Sequence, residues 1–148
     1  MKLMLLAPVL MIAGSSVGTA QVIPNAEEDA IRVVLARFYE GWNAHDPDKM
    51  ASTFAEDIDF IDVFGEWRKG RAEMRDELAR VHAGPFRNNH KEHKVEKIRL
   101  LKPDVAVVQV SAVSQVRNLA TYVLSKQQGK WLVVSFTNTD VHDPPWKK

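Results

Sequence analysis

The sequence predicts an α+β domain whose helices precede a long antiparallel meander of strands. Helical periodicity dominates residues 26–83, interrupted by one hairpin, whereas residues 93–141 alternate in the manner of consecutive strands. The 148 residues are 45% apolar and 26% charged, with seven Gly and seven Pro, which excludes disordered and collagen-like chains. Helices and strands separated in this way predict a curved antiparallel sheet covered by three helices from the N-terminal half.

The first twenty residues are predicted to be a secretory signal peptide. Lys2 precedes an apolar run over residues 3–14, and a small, polar stretch over residues 15–20 ends at Ala20, the expected cleavage site. A membrane anchor is the alternative, but about twenty apolar residues are needed to span a bilayer. We therefore expect a signal peptide over 1–20 and a single domain over 21–148, periplasmic or secreted and not associated with a membrane after cleavage.

The charge balance argues against nucleic acid and lipid partners. Removing residues 1–20 removes Lys2, so 20 Lys and Arg against 19 Asp and Glu become 19 against 19. A neutral chain with interspersed charges has no electrostatic footprint for nucleic acid or anionic membranes. The chain has no Cys for disulfides. It also lacks a glycine-rich phosphate loop and a Gly-x-Ser-x-Gly sequence, so we expect no cofactor and no serine nucleophile.

Capping residues predict where the first two helices begin. Asn25 followed by Glu28 forms a capping box at the start of a helix of about eighteen residues. Asp46 before Pro47 is an N-cap followed by proline at the first helical position, and this short helix is expected to run to about Ala55. Their apolar side chains fall on stripes, which are Ile31, Val34, Leu35, Phe38 and Trp42 in the first helix and Met50, Ala51 and Phe54 in the second.

A hairpin and a third helix are expected next. Residues 57–64 alternate as a strand, Gly65 breaks the pattern, and Trp67 is expected in a short returning strand. The third helix is predicted from Gly70 to about residue 83, where Gly84–Pro85 ends it. On one face the strand carries Ile58, Phe60, Asp62 and Phe64, and the apolar stripe of the helix is Met74, Leu78 and Val81.

The remainder of the chain is predicted to form strands joined by short turns. Turn residues stand at Pro103–Asp104 and at Gln127–Gln128–Gly129. The predicted strands cover residues 93–101, 105–115, 119–126 and 131–141.

Asp62 is the most informative single residue for function, because the alternation places its carboxyl group among apolar side chains. Burial disfavours the charged form of a carboxyl group, so we expect the pKa of Asp62 to rise toward the range useful for moving protons. Asp62 would then be a general base or a hydrogen-bonding anchor in a cavity. The alternative is structural: Asp62 accepts hydrogen bonds from the turn through Gly65, or pairs with Arg68 or Arg71.

The residues at these positions resemble the cone-shaped fold of nuclear transport factor 2. Within it, the sequence looks most like the SnoaL-like branch, which includes ketosteroid isomerase, polyketide cyclases and small secreted proteins of the SgcJ/EcaC type. The resemblance implies a cone-shaped curved sheet whose helices enclose an apolar cavity, and commonly a homodimer formed through the outer face of the sheet. It covers nearly all of residues 25–141 and is carried by Trp42–Asn43–Ala44–His45–Asp46, Phe54–Ala55–Glu56–Asp57, Asp62–Val63–Phe64–Gly65, Lys69–Gly70–Arg71 and Asn138–Thr139.

The ketosteroid isomerase pattern implies a proton-shuttling aspartate at the place of Asp62. That enzyme stabilises its enolate with a tyrosine on the first helix and a protonated carboxylic acid on a late strand. In this chain those two places fall on Phe38 and near Ala120, neither of which can donate a hydrogen bond from its side chain. Tyr39 stands one step around the helix, about 100° away. The resemblance therefore implies the shape and the aspartate but not steroid isomerisation.

His82 is the second candidate catalytic residue, because it lies at the edge of the third helix's apolar stripe. Paired with Asp62 it would form an acid–base couple, whereas the alternative is a helix-end histidine that interacts with the helix C-terminus. His90 and His93 on a strand would face opposite ways, so we expect no metal site. Candidate ligand-binding residues are Tyr39, Trp42, Trp67, Gln109 and Asn138, which are aromatic residues or polar residues on otherwise apolar faces.

Two functional hypotheses follow from these residues. The first is a secreted protein that binds a small apolar or carbonyl-bearing molecule. Its catalytic form is a cofactor-free isomerase or cyclase that uses Asp62 for proton transfer. The second is a non-catalytic dimeric binding or assembly module that uses the outer face of the sheet, with Thr121, Val123 and Lys126 as candidate contacts. A cavity with Asp62 at its wall favours the first, and a cone filled by side chains favours the second.

Overall fold

The computed structural model describes residues 26–143 and 146–147. The predicted signal peptide and the predicted capping residue Asn25 lie outside the described residues. Within them the structure has three helices and one six-stranded sheet. The helices are α1 (Ala26–Asn43), α2 (Pro47–Ala51) and α3 (Arg71–Ala83), and the strands are β1 (Phe54–Ile61), β2 (Trp67–Lys69), β3 (Glu92–Lys102), β4 (Val105–Val113), β5 (Arg117–Gln127) and β6 (Lys130–Asp140).

Helix α1 has the predicted length and buries the predicted stripe. Its first turn carries Glu27, Glu28 and Asp29, whose negative charges interact favourably with the positive end of the helix dipole. The opposite stripe packs on the sheet and includes the buried side chains of Ile31, Leu35, Phe38, Tyr39 and Trp42. Helix α1 therefore brings three aromatic rings to the sheet within two turns.

Helix α2 begins as predicted but ends at Ala51 rather than near Ala55. The Asp46 side chain caps it by accepting a hydrogen bond from the backbone N–H of Lys49 at 2.9 Å. The helix ends early because Thr53 is drawn into the sheet, where its carbonyl accepts the N–H of Val133 at 2.9 Å. Phe54, predicted on the helix, is instead the first residue of β1.

The α+β class is confirmed, and the sheet is curved and mixed. Its strand order is β2-β1-β6-β5-β4-β3, so the last four strands form the predicted antiparallel meander. Strand β1 pairs antiparallel with β2 but parallel with β6. The parallel pair is the part of the sheet that alternation alone does not predict, because residues 62–129 separate its two strands in the sequence.

Strand β1 ends at Ile61, so the predicted strand through Phe64 is wrong. The chain turns immediately after Ile61, because Asp62 Oδ1 accepts the backbone N–H of Phe64 at 2.8 Å and of Glu66 at 3.0 Å. Gly65 occupies the turn with a φ of 81°, a conformation that favours glycine. Phe64 is consequently 87% exposed instead of facing the core.

The two faces of the meander differ in side-chain size and polarity. The inner face, toward the helices, carries the buried residues of each strand, which include Ala106, Ala112 and Ala120 besides larger side chains. At the open edge of the sheet, β3 carries mostly exposed charged side chains and two register irregularities against β4. Among the described residues, no helix is both long and apolar enough to cross a membrane.

Gly41 is expected to be required for the close packing of α1 against α2. A Cβ at this position would lie 2.9 Å from both the backbone N and the side-chain Cγ of Met50. In a helix without such a neighbour, Gly→Ala stabilises by up to about 1 kcal/mol through helix propensity. We expect Gly41→Ala to lower the free energy of unfolding by about 1–3 kcal/mol in urea denaturation, because the clash moves backbone. An increase in stability would contradict the close approach.

Candidate functional site

A cavity of about 530 Å³ lies between the helices and the inner face of the sheet. Side chains of α1 and α3 line one side of the cavity and side chains of β5 and β6 line the other, and the loop after α3 closes it at one end. Its apolar wall includes Phe38, Phe60, Met74, Leu78, Ala120 and Phe136.

Aromatic packing shapes the deep part of this cavity. Phe60 and Phe136 stack with ring centroids 4.3 Å apart and an interplanar angle of 20°. Phe38 approaches the same Phe136 ring at 6.3 Å from the helical side. Ala120 stands beside Asn138 in the β5–β6 ladder, where its small side chain leaves the space in front of the rings open. The result is a chamber whose deep wall is aromatic and apolar.

Two tyrosines meet at the wall of the chamber. Tyr122 donates its hydroxyl hydrogen to the Tyr39 hydroxyl oxygen at 3.1 Å, in a fully buried bond. Burial raises the pKa of Tyr39 to about 12, against the opposing effect of the Tyr122 hydrogen bond. Both hydroxyls therefore stay protonated at neutral pH, and the Tyr39 O–H hydrogen is not used in the bond between them.

One rim of the cavity is a charged cluster around Asp62. Besides the two backbone N–H groups of its turn, Asp62 accepts a hydrogen bond from Arg68 Nη1 to Oδ2 at 3.0 Å. Arg68 also pairs with Glu66 and, at 3.1 Å, with Glu77. The hydrogen bond from Arg80 holds the pKa of Glu77 below its ordinary value. Three of the roughly four acceptor positions of the Asp62 carboxylate are therefore occupied, and one remains for a ligand.

The rim of the cavity near the start of β5 and the end of β6 carries polar groups that are only partly satisfied. Asn118 donates from its side chain to the Asp140 carboxylate. Asn138 Oδ1 is buried and has no hydrogen-bond partner in the described part of the chain. An unpaired buried carbonyl is costly, so a donor from a bound molecule would stabilise this site.

Lys91 completes this rim. The Asn43 side chain holds its backbone twice, by accepting the Lys91 N–H at 2.8 Å and by donating to the Lys91 carbonyl at 3.0 Å. Lys91 Nζ lies 3.9 Å from the ring centroid of Trp42, whose Nε1 donates to Asn89 Oδ1 at 3.0 Å. Burial lowers the pKa of Lys91 to about 8, with a smaller opposing effect from the Asp140 charge.

His82 lies behind the cavity wall and not among the side chains that line it. Its ring is buried, packs edge-on against Trp42 at 4.6 Å, and approaches His45 with the two Nδ1 atoms 2.8 Å apart. At that distance one Nδ1 carries the hydrogen and the other accepts it. Burial, followed by the charges of His45 and Lys91, lowers the pKa of His82 to about 4.

The predicted site residues therefore fall into two groups. Tyr39, Trp42, Asp62 and Asn138 come together around the cavity. His82, Trp67 and Gln109 do not line it: His82 bonds His45, the 57% exposed Trp67 donates from Nε1 to Asp59, and Gln109 alternates with the buried residues of β4 and so faces the outer side.

Several side chains that line the cavity were not predicted from the sequence. Asn118 and Asp140 follow the same inward alternation as Ala120 and Asn138, so strand periodicity could have found them. Lys91 lies in an irregular segment before β3, where no periodicity indicates which way a side chain points. Among the described residues, no group of three or more His, Asp or Glu side chains is placed to hold a metal ion.

The sequence model of the SnoaL-like domain matches residues 35–139. No curated protein matches the chain. The match spans every element from the second half of α1 to the end of β6.

Solved structures share the fold at low sequence identity. A domain of unknown function with a cystatin-like fold from Nostoc punctiforme is 23% identical, covers 82% of this chain and 81% of its own, and has a TM-score of 0.76. A ketosteroid isomerase-like protein from Erwinia carotovora atroseptica is 14% identical over 80% of this chain and 99% of its own, with a TM-score of 0.70. A nuclear transport factor 2-like protein of unknown function from Shewanella baltica is 20% identical over 83% and 100%, with a TM-score of 0.64.

The buried His82 is expected to make the protein sensitive to acid. Because its pKa is about 4 when folded and near 6.5 when unfolded, the unfolded chain binds a proton between these values that the folded chain does not. The free energy of unfolding therefore falls by up to about 3 kcal/mol as the pH drops from 6.5 to 4. We expect His82→Gln to reduce this fall in urea titrations at several pH values, and the exposed-site variant His142→Gln to retain it. Equal slopes for His82→Gln and the wild type would contradict the assignment.

Proposed function

Because the chain belongs to the SnoaL-like domain family, we propose that it binds a small apolar or carbonyl-bearing molecule in the cavity between its helices and sheet. The resemblance to nuclear transport factor 2-like and ketosteroid isomerase-like proteins is confirmed by the family match and by the solved structures. The fold is consistent with the binding of a small molecule. The chemical class of that molecule, and any reaction that it undergoes, are what we propose.

The cavity itself is the observation that carries the proposal. Its volume of about 530 Å³ is within the roughly 300–1,000 Å³ range that is typical of small-molecule sites. The deep wall is aromatic and apolar, while polar groups stand at the rims, which suits a ligand with an apolar body and one or two polar atoms. Asp62 and Asn138 each have an acceptor position left for such atoms.

In the catalytic form of the proposal, Asp62 removes a proton next to a carbonyl group, as an isomerase or cyclase does. The places of the ketosteroid isomerase donors are occupied by Phe38 and Ala120, both of which line the cavity. The nearest hydroxyl on the helix is that of Tyr39, whose O–H hydrogen is not used in its bond with Tyr122. We therefore propose Tyr39 as the donor to the developing enolate oxygen, with Asp62 as the base.

The second candidate function, a dimeric binding module, is favoured by the outer face of the sheet. Leu119 and Val113 are 44% and 49% exposed there, and Thr121 and Val123 continue the same face of β5. Lys126, the third predicted contact, already pairs with Glu27 at 2.7 Å. Sedimentation of the purified protein distinguishes monomer from dimer.

Export is proposed from the N-terminal sequence alone. Lys2 and the apolar run that follows it have the features of a signal peptide. A mature N-terminus at Gln21 in the periplasmic or secreted fraction is the expected product, and an uncleaved chain in the cytoplasm would contradict export.

Filling the cavity is expected to abolish binding. Ala120 is 2% exposed and faces the chamber, so Ala120→Phe places a ring where the ligand would lie. We expect this variant to bind 2-naphthalenemethanol at least about tenfold more weakly than the wild type in titrations followed by NMR. Ala72→Phe, the same substitution at an exposed position of α3, is the matched control, and thermal melts verify that both variants fold. Unchanged affinity in a folded Ala120→Phe protein would contradict binding in this cavity.

Proton transfer by Asp62 is tested separately. If Asp62 removes α-protons, the wild-type protein accelerates deuterium incorporation next to the carbonyl of 2-tetralone, measured by NMR. We expect Asp62→Asn to lower this acceleration by about 10²-fold or more, since the amide keeps the shape but cannot accept the proton. Asp57→Asn, at an exposed position of β1, the strand that precedes Asp62, is the control. Equal exchange rates for Asp62→Asn and the wild type would remove the catalytic role and leave Asp62 as an anchor.

A further inference from the structure

We propose that Lys91 is a reactive amine that forms an imine with aldehyde or ketone ligands of the cavity. This inference rests on the proposed function, because it requires that a carbonyl-bearing molecule enters the chamber. It assigns a covalent role to a residue that the fold resemblance does not mark.

The position of Lys91 is fixed at both its backbone and its side chain. The two hydrogen bonds with Asn43 tie its peptide groups to the last residue of α1, at 2.8 and 3.0 Å. Its Nζ lies 3.9 Å from the centroid of the Trp42 ring, and both residues line the cavity. The amine is therefore held at the wall of an apolar chamber instead of moving freely in solvent, as most lysine amines do.

Lys91 combines two features, the lack of an acidic partner and a place in the cavity wall. Lys49, Lys94 and Lys126 each place Nζ within 2.8 Å of a carboxylate oxygen. In the described part of the chain, Lys91 Nζ has no ion pair. Lys69 also lies over an indole ring and has no ion pair among the described residues, but it is exposed. A half-buried ammonium group that has an aromatic ring but no carboxylate beside it is compensated less than one in an ion pair, which favours the neutral amine.

The neutral amine is the nucleophilic form of lysine. Because burial lowers the pKa of Lys91 to about 8, roughly a quarter of the molecules carry a neutral amine at pH 7.5. For a lysine of ordinary pKa near 10.4 the neutral fraction at this pH is about one in a thousand. Because an amine of lower pKa is also a somewhat weaker nucleophile, Lys91 is expected to react with carbonyl compounds about tenfold to a hundredfold faster than a solvated lysine at the same pH.

The reaction is balanced without any further reagent. The Nζ lone pair forms a bond to the carbonyl carbon, and the carbonyl π electrons move to oxygen. The nitrogen then loses a proton to that oxygen. The proton released when the ammonium group became neutral returns through solvent to the same oxygen, which leaves as water while the C=N bond forms. Overall, an ammonium group and a carbonyl compound give a protonated imine and one water molecule, so charge is conserved. Apolar walls at the deep side would slow hydrolysis of this imine by limiting the access of water.

Reductive trapping tests the proposal with 2-naphthaldehyde as the probe. The protein is incubated with the aldehyde and sodium cyanoborohydride at pH 7.5, and the modified lysines are located by peptide mass spectrometry. We expect the modification to accumulate at Lys91 about tenfold to a hundredfold faster than at exposed lysines. The ratio of labelling at Lys91 to labelling at exposed lysines is expected to fall above a pH of about 8, because Lys91 is then already neutral while the exposed lysines still gain neutral amine.

Two substitutions at Lys91 distinguish a requirement for the amine from a requirement for the positive charge. Lys91→Arg keeps a cation beside Trp42 but has no amine that can form an imine, and Lys91→Met removes the charge at similar volume. Lys94→Met, at a side chain that is 75% exposed, is the matched control and is expected to leave trapping at Lys91 unchanged. A protein whose label is spread over exposed lysines, with Lys91 not preferred, would overturn the imine proposal.

The alcohol 2-naphthalenemethanol distinguishes failure of this inference from failure of the proposed function. Binding of the alcohol without selective trapping at Lys91 would refute the imine and leave the cavity as a non-covalent site. Absence of both binding and selective trapping would refute both. Selective trapping at Lys91 that Lys91→Arg abolishes, while alcohol binding persists in that variant, is the result that supports the inference.

Discussion

The packing of the Phe38 ring against its aromatic neighbours is the interaction on which the rest of the structure depends. The ring lies between 5.2 and 6.4 Å from five other aromatic rings, those of Tyr39 and Trp42 on its own helix and of Phe54, Tyr122 and Phe136 on three strands. A single side chain thus joins α1 to β1, β6 and β5, which are adjacent strands of the sheet. The contact both closes the core and forms the innermost wall of the cavity, so stability and binding share the same residue.

The cavity results from a difference in side-chain size across this contact. Opposite the large rings of α1, the inner face of the meander carries Ala112 and Ala120, which leave the space unfilled. The charged groups Asp62 and Lys91 stand at the rim, and hydrogen bonds hold both of them. Asp62 is held by its own turn and by Arg68, and the backbone of Lys91 is held by the Asn43 side chain, 48 positions away. Hydrogen bonds therefore position the charged groups of the site on an apolar frame.

Much of the fold could be predicted from the sequence, but less of the site could. The helical stripe of α1, the Asp46 cap and the β4–β6 alternation depend on local patterns, and all were predicted correctly. The end of β1 was not predicted correctly. The hydrogen bonds of the Asp62 turn end the strand at Ile61, although the alternation of side chains continues to Phe64, and side-chain periodicity gives no sign of these bonds. For His82, the sequence could not tell which neighbour it meets, since His45 lies 37 positions away and approaches only through the packing of α3 on the α1–α2 turn.

The two edges of the sheet have a consequence for how the protein behaves when crowded with copies of itself. An unpaired strand offers a row of N–H and C=O groups to which another molecule can add a strand. Here β2 is only three residues long, and β3 presents charged side chains and two breaks in register along its eleven residues. Edge-to-edge growth into fibrils is thereby disfavoured at both ends of the sheet. The apolar surface that remains available to other molecules is the outer face of the sheet and the cavity, whose shape restricts what can bind.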